Sequence, residues 1–431
     1  MPPGFHVLIA AQFASALADN ALLIVTIALL QQQGQPPWLA PLLKFGFMLS
    51  YVLFAPFVGP LADAFPKARL MAVMNGVKVI GVLGLLLGWH PVAAFTVVGF
   101  GAAAYAPAKY GLLTEIVPPR QLVAANGWVE VSVVCAALLG TVLGGLLVSP
   151  WLLGLASGAA GWLPGWAGAA AVGGVAGVAE SAGPAGPLTL SLVALLAVYA
   201  LAGGLNIGVP ASGARYPASS IHPLQVLRDF RRANRTLWRD AEGGLSLAVT
   251  TIFWGVGATL QFAVLRWAAD VLHLPLDQAA YLQAAVAVGV IAGAAAAAHR
   301  VPLERAWRML PAGVLLGLMI PLVASTDRLA WALPWLVAVG VVGGLLVVPL
   351  NALLQHRGCT LLSAGRSIAV QGYNENASVL GMLAVYAALL WLDVPIVPLM
   401  WGFGLMIAAV IAVLMARERR RRAALRAAGP G

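Results

Sequence analysis

Only four lysines occur in the 431-residue chain, and one, Lys109, sits in Ala-Ala-Ala-Tyr-Ala-Pro-Ala-Lys-Tyr-Gly (102–111), late in a long apolar run. An ammonium placed in hydrocarbon costs roughly 2.5–3.5 kcal/mol on insertion scales. It therefore needs a partner, a polar cavity, or a stem that snorkels to the interface. At about 1.5 Å per residue, Lys109 and Glu130 lie about 12 Å from one end of consecutive antiparallel spans, Glu375 about 18 Å and Asp19 about 20 Å. Lys109–Glu130 is the easier ion pair by depth; a bond from Lys109 to Asp19 needs tilt or a long reach. Asp19-Asn20 and Asn374-Glu375-Asn376 are placed to face each other near the midplane, where transport sites form. Either carboxylate could bind a proton or sodium, or such pairs could simply lock helices together. Asn75, Lys78, Asn126, Asn206, Asn351 and Gln371 add polar groups to apolar spans. Interhelical hydrogen bonds explain any one of them, and a central cavity explains their concentration.

A second constellation closes the second apolar run: Gly59-Pro60-Leu61-Ala62-Asp63, followed by Lys67 and Arg69. It resembles the gating signature of major facilitators. Asp63 is expected to pair with Arg69 and to face the positive N-terminus of the eleventh span near Ser363. Lys67 and Arg366 complete the gating set. A loop salt bridge worth under about 1 kcal/mol is the plainer reading.

The elements that must position these groups follow from composition. Hydrophobic residues make up 61% of the chain and charged residues 9%, against roughly 25% charge in a soluble domain. Twelve apolar runs, each long enough to cross a bilayer, fall near 6–31, 40–62, 69–89, 92–117, 121–148, 187–210, 244–270, 278–298, 307–325, 329–356, 364–392 and 395–416. The first holds Asp19 and Asn20 and has no basic leader, so it reads as a retained span rather than a signal peptide.

The net charge of +10 is gathered in alternate loops: Lys67 and Arg69, Arg120, Arg215 to Arg239, Arg300 to Arg308, Arg357 with Arg366, and the tail from Arg417. That pattern predicts two cytoplasmic termini and reports orientation before any nucleic-acid partner. The expected organisation is an N-terminal six-span half (1–210), a basic cytoplasmic connector (211–243), a C-terminal six-span half (244–416) and a basic tail (417–431). The Gly/Ala/Trp-rich stretch 149–186 reads as a periplasmic loop or re-entrant insertion. The halves echo each other: Pro107 is followed by Lys109 and Glu130 is 23 positions on, while Pro349 is followed by Asn351 and Gln371 is 22 on. A six-plus-six repeat of this kind marks major facilitator transporters.

Nothing in the chain points to an enzyme. The six histidines show no metal-ligand spacing, and no phosphate-cradling glycine loop carries a lysine. No cofactor is expected. Cys135 and Cys359 make no disulfide framework.

Several strings are more specific. Ala-Gln-Phe-Ala-Ser-Ala-Leu-Ala-Asp-Asn-Ala-Leu-Leu (11–23), Phe-Ala-Pro-Phe-Val-Gly (54–59), Gly-Ala-Ala-Ala-Tyr-Ala-Pro-Ala-Lys-Tyr-Gly (101–111), Ala-Ala-Asn-Gly (124–127), Val-Val-Pro-Leu-Asn-Ala-Leu-Leu-Gln (347–355) and Ile-Ala-Val-Gln (368–371) resemble the bacterial lysophospholipid transporters of the major facilitator superfamily. The resemblance implies an all-α facilitator fold in the bacterial inner membrane, acting as a monomer. It implies flipping of lysophosphatidylethanolamine and lysophosphatidylglycerol from the outer to the inner leaflet, for re-acylation by an acyltransferase/acyl-ACP synthetase. It places Asp19, Asn20, Lys109, Asn126, Glu130, Asn351 and Glu375 in the cavity, to which Tyr105, Gln261 and Asn376 are added as candidates. One departure stands out: relatives tend to carry arginine where this chain has Gln261. Phosphate recognition then leans on Lys109, or Gln261 serves a different headgroup. A proton-coupled facilitator for a polar solute or drug, and a non-transporting scaffold for an acyltransferase, are the rival readings.

Overall fold

A segment that crosses hydrocarbon must satisfy its backbone internally, which leaves helices as the solution for apolar runs of this length. The computed structural model describes all residues except 37–38, 151, 153–187, 211, 215, 217–221, 275 and 428–431. Among the described residues there are thirteen α-helices and no strand. In chain order they are α1 (Pro3–Gln32), α2 (Leu39–Ala64), α3 (Lys67–Leu86), α4 (Pro91–Ile116), α5 (Leu122–Leu147), α6 (Thr189–Ile207), α7 (Pro223–Arg239), α8 (Ala241–Asp270), α9 (Leu276–Arg300), α10 (Leu310–Ala324), α11 (Leu329–Leu361), α12 (Ala364–Trp391) and α13 (Ile396–Ala427).

Eleven of these are long and apolar enough to cross a membrane. The remaining expected span, the eleventh in order, is α12, which has the length at 28 residues. Arg366, Gln371, Asn374, Glu375 and Asn376 lower its apolarity, so it is a helix that needs protein or water around its polar face. The connector contains α7, a helix that the sequence reading treats only as a polar link. The reading of 149–186 falls almost wholly outside the described residues.

The chain forms two compact units. The first comprises Met1–Ile116, Cys135–Phe230 and Ser363–Gly372; the second comprises Val117–Val134, Arg231–Leu362 and Tyr373–Gly431. In the first unit α3 and α2 pack on α4, and α6 packs on α1 and α3. Its apolar core gathers Leu22, Val25, Leu29, Leu43, Val82, Leu192 and Leu195 beside the ring of Tyr199.

In the second unit α9 lies against α11, and α13 against α10. Gly289 and Gly293 on α9 meet Gly340 and Gly344 on α11. A Cβ at Gly289 or Gly293 would stand 2.1 Å from the carbonyl oxygen of Val337 or Val341, and one at Gly340 2.1 Å from that of Val286. Two facing Gly-x-x-x-Gly stripes bring the backbones together without side chains between them, which is how helices associate where no hydrophobic effect drives them.

Candidate functional site

Helical periodicity places residues three, four and seven apart on one face, and four helices of the first unit use it to aim polar groups at one another. α1 presents Gln12, Ser15 and Asp19; α3 presents Asn75 and Lys78; α4 presents Tyr105 and Lys109; α6 presents Tyr199 and Asn206. The centre is an ion pair. Lys78 Nζ stands 2.7 Å from Asp19 Oδ2, and the other carboxylate oxygen accepts from Tyr199 Oη at 2.7 Å. Lys78 also donates to Ser15 Oγ at 2.9 Å, and that hydroxyl donates to Asn75 Oδ1 at 2.8 Å. The ammonium lies 5.3 Å from the Tyr105 ring centre and 5.7 Å from that of Tyr199. Tyr105 donates onward to Asn206 Oδ1 at 3.3 Å.

Lys78 is 1% exposed, one of the largest fully buried side chains. A charge so far from water persists only with close compensation, and the Ser15 hydroxyl, the Asp19 carboxylate and two ring faces supply it. Asp19 is therefore held by Lys78 and Tyr199, so no tilt or long reach from Lys109 is needed to compensate it. Lys109, about one turn beyond Tyr105 on α4, donates to Gln12 Oε1 at 3.2 Å and lies 4.2 Å from the Tyr110 ring centre. Asn20 turns back on its own helix, donating to Ala16 O at 2.8 Å.

The second unit gathers a neutral counterpart. Asn126 on α5 and Gln355 on α11 exchange two hydrogen bonds, each 2.9 Å. Asn126 also donates to Leu122 O at 3.0 Å. Glu130 and Asn351, each one turn from a member of this pair, are buried. On α12, Asn374 donates to Asn234 Oδ1 at 2.9 Å and accepts from Trp238 Nε1 at 3.1 Å, so α7 grips it from both sides. Glu375 and Asn376 are half-buried. Gln261 has an exposed side chain, and only its carbonyl is engaged, by Gln283 Nε2 at 2.8 Å. Arg266 pairs with Asp270 at 3.2 Å on the protein surface.

At the gating signature, Asp63 accepts from the Ser363 hydroxyl and from Gly365 N at 2.9 Å. This is a carboxylate capping the positive end of α12. Gly59 and Gly365 make it possible: a Cβ on Gly365 would stand 2.6 Å from Gly59 O. Arg69 is exposed and makes no ion pair among the described residues, so the expected Asp63–Arg69 bond is absent. Lys67 is the buried cation here, 2.5 Å from Glu115 Oε1 and 4.7 Å from the Tyr216 ring centre. Tyr216 Oη donates to the same Glu115 oxygen at 2.8 Å.

The second unit has its own charged clasp. Asp240 caps α8 by accepting from Gly243 N at 2.7 Å and receives Arg357 of α11 at 2.6 Å. Arg422 of α13 reaches Glu242 at 3.1 Å. Burial alone would raise Asp240, but the Arg357 hydrogen bonds and the backbone N–H groups of Gly243 and Glu242 outweigh it and hold the carboxyl below its usual value. No group of three or more metal-ligating side chains occurs among the described residues.

The model of the Major Facilitator Superfamily matches residues 8–360. The chain belongs to that superfamily. The lysophospholipid transporter LplT of Escherichia coli (strain K12 / DH10B) is 41% identical over 419 residues, covering 97% of this chain and 96% of the relative. The LplT of Escherichia fergusonii is 39% identical over the same shares. Two solved facilitators share the fold alone. One is FucP in the outward conformation, with TM-score 0.70, 14% identity, 96% of this chain and 97% of that one. The other is the human organic anion transporter MFSD10, with TM-score 0.72, 13% identity, 96% of this chain and all of that one. The chain is thus a facilitator, a transporter rather than an enzyme. Lys78, Tyr199, Ser15, Glu115 and Gln355 were missed as contact residues. Lys78 carried a signal equal to that of Lys109, since it too is a lysine deep in an apolar run.

Proposed function

We propose that this facilitator moves lysophospholipids, lysophosphatidylethanolamine and lysophosphatidylglycerol among them, from the outer to the inner leaflet of the bacterial inner membrane by alternating access. The observation that carries this is the 41% identity to the Escherichia coli lysophospholipid transporter along 97% of the chain. Lys109 is the cation for the headgroup phosphate, Tyr105, Asn126, Glu130, Asn351, Glu375 and Asn376 are the further candidate cavity residues, and the acyl chain is left in apolar surroundings. Asp19 and Lys78 form a fixed brace, and Asn20 and Gln261 are further cavity candidates. Residues 1–210 and 244–416 are the bodies that rock, with Asp63, Lys67 and Arg366 at the latch and both termini cytoplasmic; the Asp63–Ser363 and Asn126–Gln355 bonds each join one body to the other and part as they rock. The protein acts as a monomer and hands its product to an acyltransferase/acyl-ACP synthetase on the cytoplasmic side.

The engagement of both Asp19 oxygens argues against a proton-coupled facilitator that works through that carboxylate. Proteoliposomes containing only this protein test the proposal. Labelled lysophosphatidylethanolamine added to the outer leaflet is expected to become protected from an external quencher. A lipid that stays accessible, while a sugar or drug accumulates, would transfer the case to the solute-transport reading. No movement of either would favour the scaffold.

A further inference from the structure

The helix α7 carries a surface that the transport reading does not use. At about 100° per residue, Val226, Ala233 and Leu237 share one side of it, and all three are buried against the protein. The opposite side covers an arc of about 140°. Around it, in order, stand Leu227, Trp238, Arg231, Leu224, Arg235, Arg228 and Arg239, the apolar residues toward one side and interleaved with arginine. Leu224 is 60% exposed, Leu227 40% and Trp238 41%. The four arginines are exposed and make no ion pair among the described residues. Arg232 continues the stripe.

A solvated helix face does not need two exposed leucines among its arginines. A face that binds a soluble acidic protein does not need to adjoin a bilayer, and this one does. Only Asp240 separates α7 from α8, a span that begins at Ala241. The C-terminal end of α7 is thereby fixed at the membrane interface, where leucine enters the acyl boundary and arginine meets headgroups. Clustered basic residues next to a span attract anionic lipid over roughly a Debye length.

We propose that the exposed face of α7 is a docking surface for anionic diacyl phospholipid headgroups of the leaflet it borders, with Arg228, Arg231, Arg235 and Arg239 contacting phosphate and Leu224 and Leu227 seated among the acyl chains, while Trp238 holds Asn374. The same helix clasps Asn374 through Asn234 and Trp238. Lipid held on α7 therefore fixes the position of a residue that neighbours Glu375.

The test uses the full chain. Purified protein is titrated with short-chain phosphatidylglycerol and, separately, with the matching phosphatidylcholine, and bound lipid is counted by native mass spectrometry. Arg228→Gln, Arg231→Gln, Arg235→Gln and Arg239→Gln combined are expected to weaken phosphatidylglycerol binding by at least about tenfold and leave phosphatidylcholine unchanged. The same four positions changed to lysine are expected to keep it within about threefold. Equal phosphatidylglycerol binding by the glutamine variant would overturn the proposal. A second measurement keeps all arginines in place. A nitroxide is attached at Leu227→Cys, in a chain whose free Cys135 and Cys359 are replaced by serine. It is expected to lose access to an aqueous relaxing agent when phosphatidylglycerol replaces about a third of the phosphatidylcholine in the bilayer. Access that ignores the anionic lipid would also overturn it.

Discussion

The two compact units solve the same problem with different chemistry. In the first, Asp19 and Lys78 form an ion pair with hydroxyls and ring faces around it. In the second, Asn126 and Gln355 form a neutral amide pair with both bonds reciprocated. Both pairs tie helices that are not neighbours in sequence, α1 to α3 and α5 to α11. The charged pair is the more conditional device. Removing one ion from a buried pair strands the other, whereas removing one amide strands only dipoles. A protein that must change shape around a charged headgroup gains from confining this rigid, charged brace to one unit.

The largest expected effect comes from breaking the ion pair. Lys78→Met leaves the Asp19 carboxylate in apolar surroundings and is expected to destabilise the folded protein by about 3–5 kcal/mol. A fall in the detergent melting temperature, together with lost flipping, would be read. Asp19→Leu with Lys78→Met is expected to recover most of the stability; a double variant no better than the single one would show that the pair is not a unit. Asn126→Ala is the matching cut in the second unit, expected at about 1–3 kcal/mol through the orphaned Gln355 amide. If it proves as damaging as Lys78→Met, the contrast between charged and neutral braces fails.

The smallest effect belongs to Asp240. Its folded carboxyl lies below the ordinary value, so its contribution is present above the unfolded value of about 3.9 and fades as pH falls through the lower folded one. Asp240→Asn is expected to cost under about 1 kcal/mol at neutral pH, and to flatten the acid limb of the melting-temperature profile.

Much of this was legible beforehand, for physical reasons. Hydrocarbon forces helices, so the apolar runs gave α1 to α6 and α8 to α13 to within a few residues, except that α13 continues through the basic tail to Ala427. Asp63 beside Ser363 was legible because a carboxylate seeks a helix N-terminus. Partner choice was not. Depth along a span is readable from sequence, but the direction in which a helix faces its neighbours is set by packing. That is why Lys109 was matched by depth to Glu130, with Asp19 only at a long reach, and Lys78 went unassigned, although both lysines are equally anomalous. The same gap hid Lys67–Glu115 behind the more obvious Arg69. In α7 the register of Val226, Ala233 and Leu237 was present in the sequence, but dense arginine made the segment read as a polar link.

The central claim is that Lys109 meets the lipid phosphate while Lys78 holds the protein together. It is tested most directly by flipping of labelled lysophosphatidylethanolamine in proteoliposomes bearing wild-type protein or Lys109→Ala, reconstituted at matched amounts of folded protein. The expected result is leaflet exchange by the wild type and its loss, by at least about tenfold, in Lys109→Ala, with an unchanged melting temperature. Exchange at the wild-type rate by Lys109→Ala, or its failure to fold, would contradict the account.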